Sequence, residues 1–220
     1  MNRRSFVKAI SAGTLGPAIF GRRTEKVRGR EKTLVALSDQ VKLGIIGAGS
    51  RGQELMRYFL RVPGVRITGL CDVYEPRFAA ARKITGEETP IYRDHRRLLE
   101  ARDLDAIVVA TPLSLHAEHV VASLQSGRHV YGEKSLGLTL GHCGQIVQAV
   151  RQSGKHFQVG HQYRYAPWFH DVIQRVGKGE IGRVTHIYGY WHRNGSWRRS
   201  VPDPKFEKLI NWRLDRKSVV

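Results

Sequence analysis

Residues 42–52 read Lys42-Leu-Gly-Ile-Ile-Gly47-Ala-Gly49-Ser-Arg-Gly52, a short apolar strand that runs straight into Gly-x-Gly-x-x-Gly. A helix-like stretch follows from Gln53 to Leu60, and an acidic residue, Asp72, lies 20 positions beyond Gly52. Strand, glycine turn, helix and distant carboxylate together make the context that a dinucleotide-binding turn requires. Gly47, Gly49 and Gly52 let the backbone turn tightly and approach a pyrophosphate, and Ser50 and Arg51 lie inside the turn at the helix N-terminus that receives it. Asp72, at the end of the second apolar run, is placed to bond both ribose hydroxyls of an adenosine. A carboxylate there repels a 2′-phosphate, so the pattern favours NAD, with Arg51 and Arg77 as the cations that would admit NADP.

Outward from this turn the chain alternates. Apolar strand-like runs at 41–46, 65–71, 106–110, 129–131 and 156–160 are separated by helix-like segments at 52–60, 76–84, 94–100, 116–126 and 140–153. Alternation of this length predicts an α/β fold, a Rossmann-type doubly wound parallel sheet with helices on both faces. Ligands in such sheets bind outside the carboxyl ends of the strands. The third long run ends in Thr111-Pro112, and His116 opens the next helix, either as its cap or as a ligand contact. The fourth ends in Glu133-Lys134-Ser135. A lysine at that position can hydrogen-bond a substrate hydroxyl and shift the pKa of its neighbours.

Composition bounds the partners. A length of 220 residues suits one good core, or one domain and part of another. Cys71 and Cys143 make no disulfide framework, and no Cys-x-x-Cys spacing is present, so no metal site is expected. The net charge of +18 sits mainly at the two ends: +7 over residues 1–32 and +5 over 193–220, leaving +6 for the motif-bearing body. That distribution argues against nucleic-acid binding.

The N-terminus reads as an address. Arg3-Arg4-Ser-Phe6-Val-Lys8 precedes an apolar, Gly/Ala-containing segment from Ala9 to Phe20. This is the pattern of a twin-arginine export signal. The segment is too short and too glycine-rich for a membrane span. It predicts a periplasmic or exported protein that uses the twin-arginine export machinery, and whether the signal is cleaved or kept as an anchor stays open. Export in a folded state pairs naturally with a cofactor loaded in the cytoplasm.

Taken together, these landmarks resemble the glucose–fructose oxidoreductase / inositol dehydrogenase (Gfo/Idh/MocA) family. The matching residues are Gly47 to Gly52, Cys71-Asp72, Thr111-Pro112 with His116, Gly127-Arg-His-Val130 and Glu133-Lys134. Val159-Gly-His-Gln162-Tyr-Arg-Tyr165 and Gly179-Glu-Ile-Gly182-Arg-Val look like the entry to that family's second domain. The resemblance implies an NAD(P)-dependent oxidoreductase that moves a hydride between the nicotinamide and a hydroxyl of a sugar, cyclitol or similar polyol. It implies substrate binding and proton transfer by Lys134, Glu133 against the cofactor, and a second α/β domain with an open, mostly antiparallel sheet that often forms the homo-oligomer interface. Ser135 departs from the family's proline. His161 and Tyr163 are the substrate-contact candidates, within a run of aromatic and polar residues (Tyr165, Trp168, Tyr188, Tyr190, Trp191, His192, Trp197) that either stacks sugar rings or forms the sheet's own packing face.

The expected domains are 1–32 (signal and basic linker), 33–155 (nucleotide-binding) and 156–220 (a partial second domain with a helix near 168–177 and a strand near 183–190). The ending at Val220 reads as a fragment of a longer enzyme whose general base lies in the missing part. Two alternatives accompany the oxidoreductase reading: a glycosidase that uses NAD only transiently, and an inactive dinucleotide-binding fragment.

Overall fold

A computed structural model describes residues 39–190 together with Ala36 and His192; residues 1–35, Trp191, Trp197 and the tail through 220 lie outside the described residues, and with them the export signal. Six parallel strands form one sheet in the order β3-β2-β1-β4-β5-β6. They are β1 (Val41–Ile46), β2 (Val65–Cys71), β3 (Ile91–Tyr92), β4 (Ala106–Val109), β5 (His129–Glu133) and β6 (Phe157–Gly160). The helices are α1 (Ser50–Phe59), α2 (Pro76–Thr85), α3 (His95–Glu100), α4 (His116–Gln125), α5 (Leu140–Ser153) and α6 (Pro167–Gly177).

Covered on both faces, the central strands read as continuous apolar runs rather than as alternating ones. All four residues of β4 are buried. Their side chains divide between two cores. Val108 joins Leu43, Ile45 and Ile67 under Leu55, Met56 and Phe59 of α1 and Phe78 and Ala81 of α2. Ile107 and Val109 join Ile46 and Val130 under Leu98 of α3, Val120 and Leu124 of α4, and Ile146 and Ala149 of α5. The helix boundaries follow local chemistry. The buried positions 52, 55, 56 and 59 of α1 recur at helical spacing. Asp94 accepts the Arg96 N–H to start α3, and Thr139 accepts the His142 N–H to start α5. Pro76 sits in the first turn of α2, where its missing N–H costs nothing.

Three local expectations change. β5 runs on to Glu133, two residues past the run expected at 129–131. β3 was not expected, because two residues are too few to show a period. Residues 183–190 form no strand: they are exposed and pair with nothing among the described residues, and a strand exists only through its partner. The boundary placed at 155 also cuts the sheet, since β6 pairs in parallel with β5. Beyond it, α6 has no buried residue and presents Trp168, Val172 and Ile173 to solvent. No helix among the described residues is long and apolar enough to cross a membrane.

Candidate functional site

The strand order reverses between β1 and β4, the place where an open parallel sheet leaves a crevice at its carboxyl edge. Register brings the strand ends level there: Ile46 pairs with Cys71 and with Val109, Val109 with Gly132, and Glu133 with Gly160. Gly47, Asp72, Thr111, Lys134 and His161 therefore all emerge on one edge, although 114 positions separate the first from the last.

The glycine turn is built by close approach. Gly47 has φ +100°, and a Cβ there would lie 2.5 Å from the Ala110 carbonyl oxygen. A methyl at Gly52 would overlap the Gly47 carbonyl oxygen. Gly49 caps α1 without a side chain, so nothing from the cap residue covers the helix N-terminus. The first N–H groups of a helix lack intrahelical partners, and its dipole favours an anion at that end. The backbone of 47–52 thus fits a pyrophosphate.

Asp72 is buried and holds this turn in place. Its carboxylate accepts the N–H groups of Ala48 and Tyr74, both at 2.8 Å, and Arg77 Nη1 donates to both oxygens at 3.2 Å. Arg77 also lies along Gly49 and over the Tyr74 ring. The ribose-binding carboxylate expected from sequence is therefore already engaged. Of its partners, Arg77 is the one on an exposed side chain, 45% accessible.

A second network crosses the crevice. Arg51 pairs with Glu133 (Nη2 to Oε1, 2.7 Å; Nε to Oε1, 2.9 Å) and with Glu54 (2.7 Å). Burial works against the Arg51 charge, but the hydrogen bonds to Glu133 and Glu54 outweigh it and hold the guanidinium above its ordinary range. Burial, followed by the Glu133 charge, pushes the Tyr131 phenol up. Arg51 thereby ties the glycine turn to the end of β5.

Lys134 is exposed directly after buried Glu133, and the peptide bond from Lys134 to Ser135 is cis. His116 is neither a cap nor a surface residue. Leu115 occupies the cap position, and the His116 ring, 2% exposed, bridges the Ser135 carbonyl (Nδ1, 2.8 Å) and the Thr111 carbonyl (Nε2, 3.0 Å). It fastens the loop after β4 to the loop that carries Lys134. Thr111 also meets His119 Nδ1 at 3.1 Å through its hydroxyl, and Pro112 is exposed at the rim. His161 and Tyr163 are exposed beyond β6, beside the β5 end, and Tyr163 packs on Trp168 with ring centroids 6.1 Å apart.

Sequence reasoning missed Tyr131, His119 and the Asp72–Arg77 pair. The pair has a signal, since Arg77 lies five residues past Asp72 at the start of a helix. Tyr131 and His119 had none beyond residue type.

Comparison with known proteins agrees with this geometry. Residues 41–161 match the family model described as an oxidoreductase family with an NAD-binding Rossmann fold. Inositol 2-dehydrogenase of Salmonella typhimurium is 29% identical over 172 residues, covering 77% of this chain and 50% of the relative. A glycosyl hydrolase family 109 protein of Shewanella putrefaciens is 26% identical, covering 90% of this chain and 50% of the relative. The solved structure of myo-inositol dehydrogenase from Lactobacillus casei, in complex with NAD(H) and myo-inositol, is 27% identical with a TM-score of 0.61 over 65% of this chain and 43% of that one. The chain spans about half the length of the curated relatives it matches. With five strand ends converging on an uncapped glycine turn, and with the family model matched across all six strands, the chain belongs to the Gfo/Idh/MocA oxidoreductase family with an NAD-binding Rossmann fold.

Proposed function

We propose that this chain is the dinucleotide-binding part of an enzyme that oxidises a hydroxyl of a cyclitol or sugar, with Lys134 as the substrate-facing group. The observation that carries the reading is the placement of Lys134. It is exposed at the carboxyl end of β5, behind it Glu133 is locked to the glycine turn through Arg51, and beside it His116 anchors its loop to Thr111. When bound, NAD supplies the two-electron oxidation, taking a hydride from the carbon that bears the hydroxyl. The Lys134 ammonium would donate a hydrogen bond to the hydroxyl oxygen and stabilise the negative charge that builds as its proton passes to a general base, which the family resemblance places in the second domain. Inositol dehydrogenases among the relatives support a polyol substrate. Replacing Lys134 with Met in the full-length enzyme should lower kcat with myo-inositol by about 10²-fold or more while NAD affinity stays within about twofold. Unchanged kcat would remove Lys134 from the reaction.

The Shewanella relative supports a second reading, transient oxidation during glycoside cleavage. Bond cleavage of a p-nitrophenyl glycoside without net NADH accumulation would select it, whereas steady NADH production from a free polyol would select the dehydrogenase. The reading further includes export through the Arg3-Arg4 signal. Cell fractionation of the chain and of an Arg3→Lys, Arg4→Lys double variant tests this, and equal periplasmic recovery of both would refute it.

A further inference from the structure

Three residues that the proposed reaction leaves unused come together behind Thr111. His95 opens α3, while Glu118 and His119 lie in the first turn of α4. One donor atom from each lies within 4.8 Å of the others. His95 Nε2 stands 3.7 Å from Glu118 Oε1, and the two imidazole centroids are 4.4 Å apart, tilted by 59°. We propose that His95, Glu118 and His119 form a binding site for one divalent transition-metal ion of the zinc type, which clasps α3 to α4.

The spacing suits a metal site. At 3.7 Å the His95–Glu118 contact is too long for a hydrogen bond. Ligand atoms about 2.1 Å from a tetrahedral ion stand about 3.4 Å from one another, so the observed separation is close to that of a ligand pair. Two imidazoles and one carboxylate are a borderline donor set that suits zinc, cobalt, nickel or copper and not calcium or magnesium. The other ring nitrogen of His119 is held as a ligating histidine's usually is. Thr111 Oγ1 engages His119 Nδ1 at 3.1 Å and leaves Nε2 as the ligand atom. Asp94 Oδ1 lies 3.7 Å from His95 Nδ1, beyond hydrogen-bond distance, so of the two rings only His119 is fixed by such a bond. The His119 ring is buried, which favours the neutral form that a ligand must have. Small motion closes the site, because the Glu118 side chain is 51% exposed and His95 stands at the beginning of a short helix. Three protein ligands leave a fourth position for water.

The test uses the full chain without an affinity tag, stripped by chelator dialysis and titrated with Zn²⁺ in competition with a chromogenic chelator. The expected result is one ion per chain, a tetrahedral visible spectrum with Co²⁺, and a rise in Tm on Zn²⁺ addition. Glu118→Gln and His95→Gln should each weaken binding by at least about tenfold and reduce the Tm rise accordingly. Glu118→Gln alters an exposed side chain and keeps the test valid should the histidine variant fail to fold. Absence of 1:1 binding, or 1:1 binding with the same affinity in Glu118→Gln, overturns the proposal. None of these readouts involves NAD, so failure of the dehydrogenase reading would leave them unaffected.

Discussion

Asp72→Asn separates two jobs that one carboxylate performs. The Asp72 side chain is 2% exposed and accepts the N–H groups of Ala48 and Tyr74 at 2.8 Å. Asparagine has the same shape but only one acceptor oxygen, so its amide group faces one of those two N–H donors. Leaving one buried N–H without an acceptor costs about 1–3 kcal/mol. The Arg77 pair adds little, about 0–1 kcal/mol, because the arginine side is 45% exposed and screened by water. The net expectation is a loss of about 2 kcal/mol, which lowers the urea midpoint by about 1 M at a slope of about 2 kcal/mol per M. Urea unfolding of the ligand-free chain, followed by circular dichroism, reads this directly, with Arg77→Ala as the control expected to move less than about 0.5 M on the same slope. If Asp72→Asn leaves the midpoint within about 0.2 M of the parent, or if Arg77→Ala moves it equally, then the backbone bonds are not what stabilises the turn.

Three further outcomes follow from the same geometry. In fluorescence titrations, Arg77→Ala should weaken NADP by about tenfold or more, since a charge-assisted bond to the 2′-phosphate is worth about 1.5–3 kcal/mol. NAD, which carries no 2′-phosphate, should change little; equal losses for both would refute this role. Gly52→Ala drives a methyl into the Gly47 carbonyl oxygen, so it should cost about 1–3 kcal/mol or more of stability and abolish saturable NAD binding. In the folded chain a thiol reagent should titrate Cys143 first: Cys71 is buried, and burial followed by the Asp72 charge pushes its thiol far above the ordinary range, so it reacts only on unfolding. Two fast thiols would contradict the packing at the end of β2.

Much of the fold is legible because local rules and global topology agree. Apolar runs of strand length between helical periods admit few arrangements other than a parallel sheet with helices on both faces. The turn at 47–52 is legible for the same reason: only glycine tolerates the approach of the Ala110 and Gly47 carbonyls, so the constraint is written in the residues themselves. Residues 183–190 read as a strand and form none among the described residues, because β-propensity states a preference and pairing requires a neighbour. β3 escaped notice for the opposite reason, since two residues gain their conformation wholly from the edge of β2.

By itself the sequence determined the doubly wound class, the dinucleotide turn and the identity of the residues at the strand ends, since each depends on contacts within a few positions or on a spacing that one βαβ unit imposes. Only the tertiary structure decided what those residues do to one another. Arg51 meets Glu133 across 82 positions, His116 joins the loops after β4 and β5, Asp72 spends its lone pairs on the turn before any ribose arrives, and His95 finds Glu118 and His119. The physical reason is range. Strand and turn preferences act over a few residues, whereas hydrogen bonds, ion pairs and metal ligation depend on distances that exist only once the sheet has set its register.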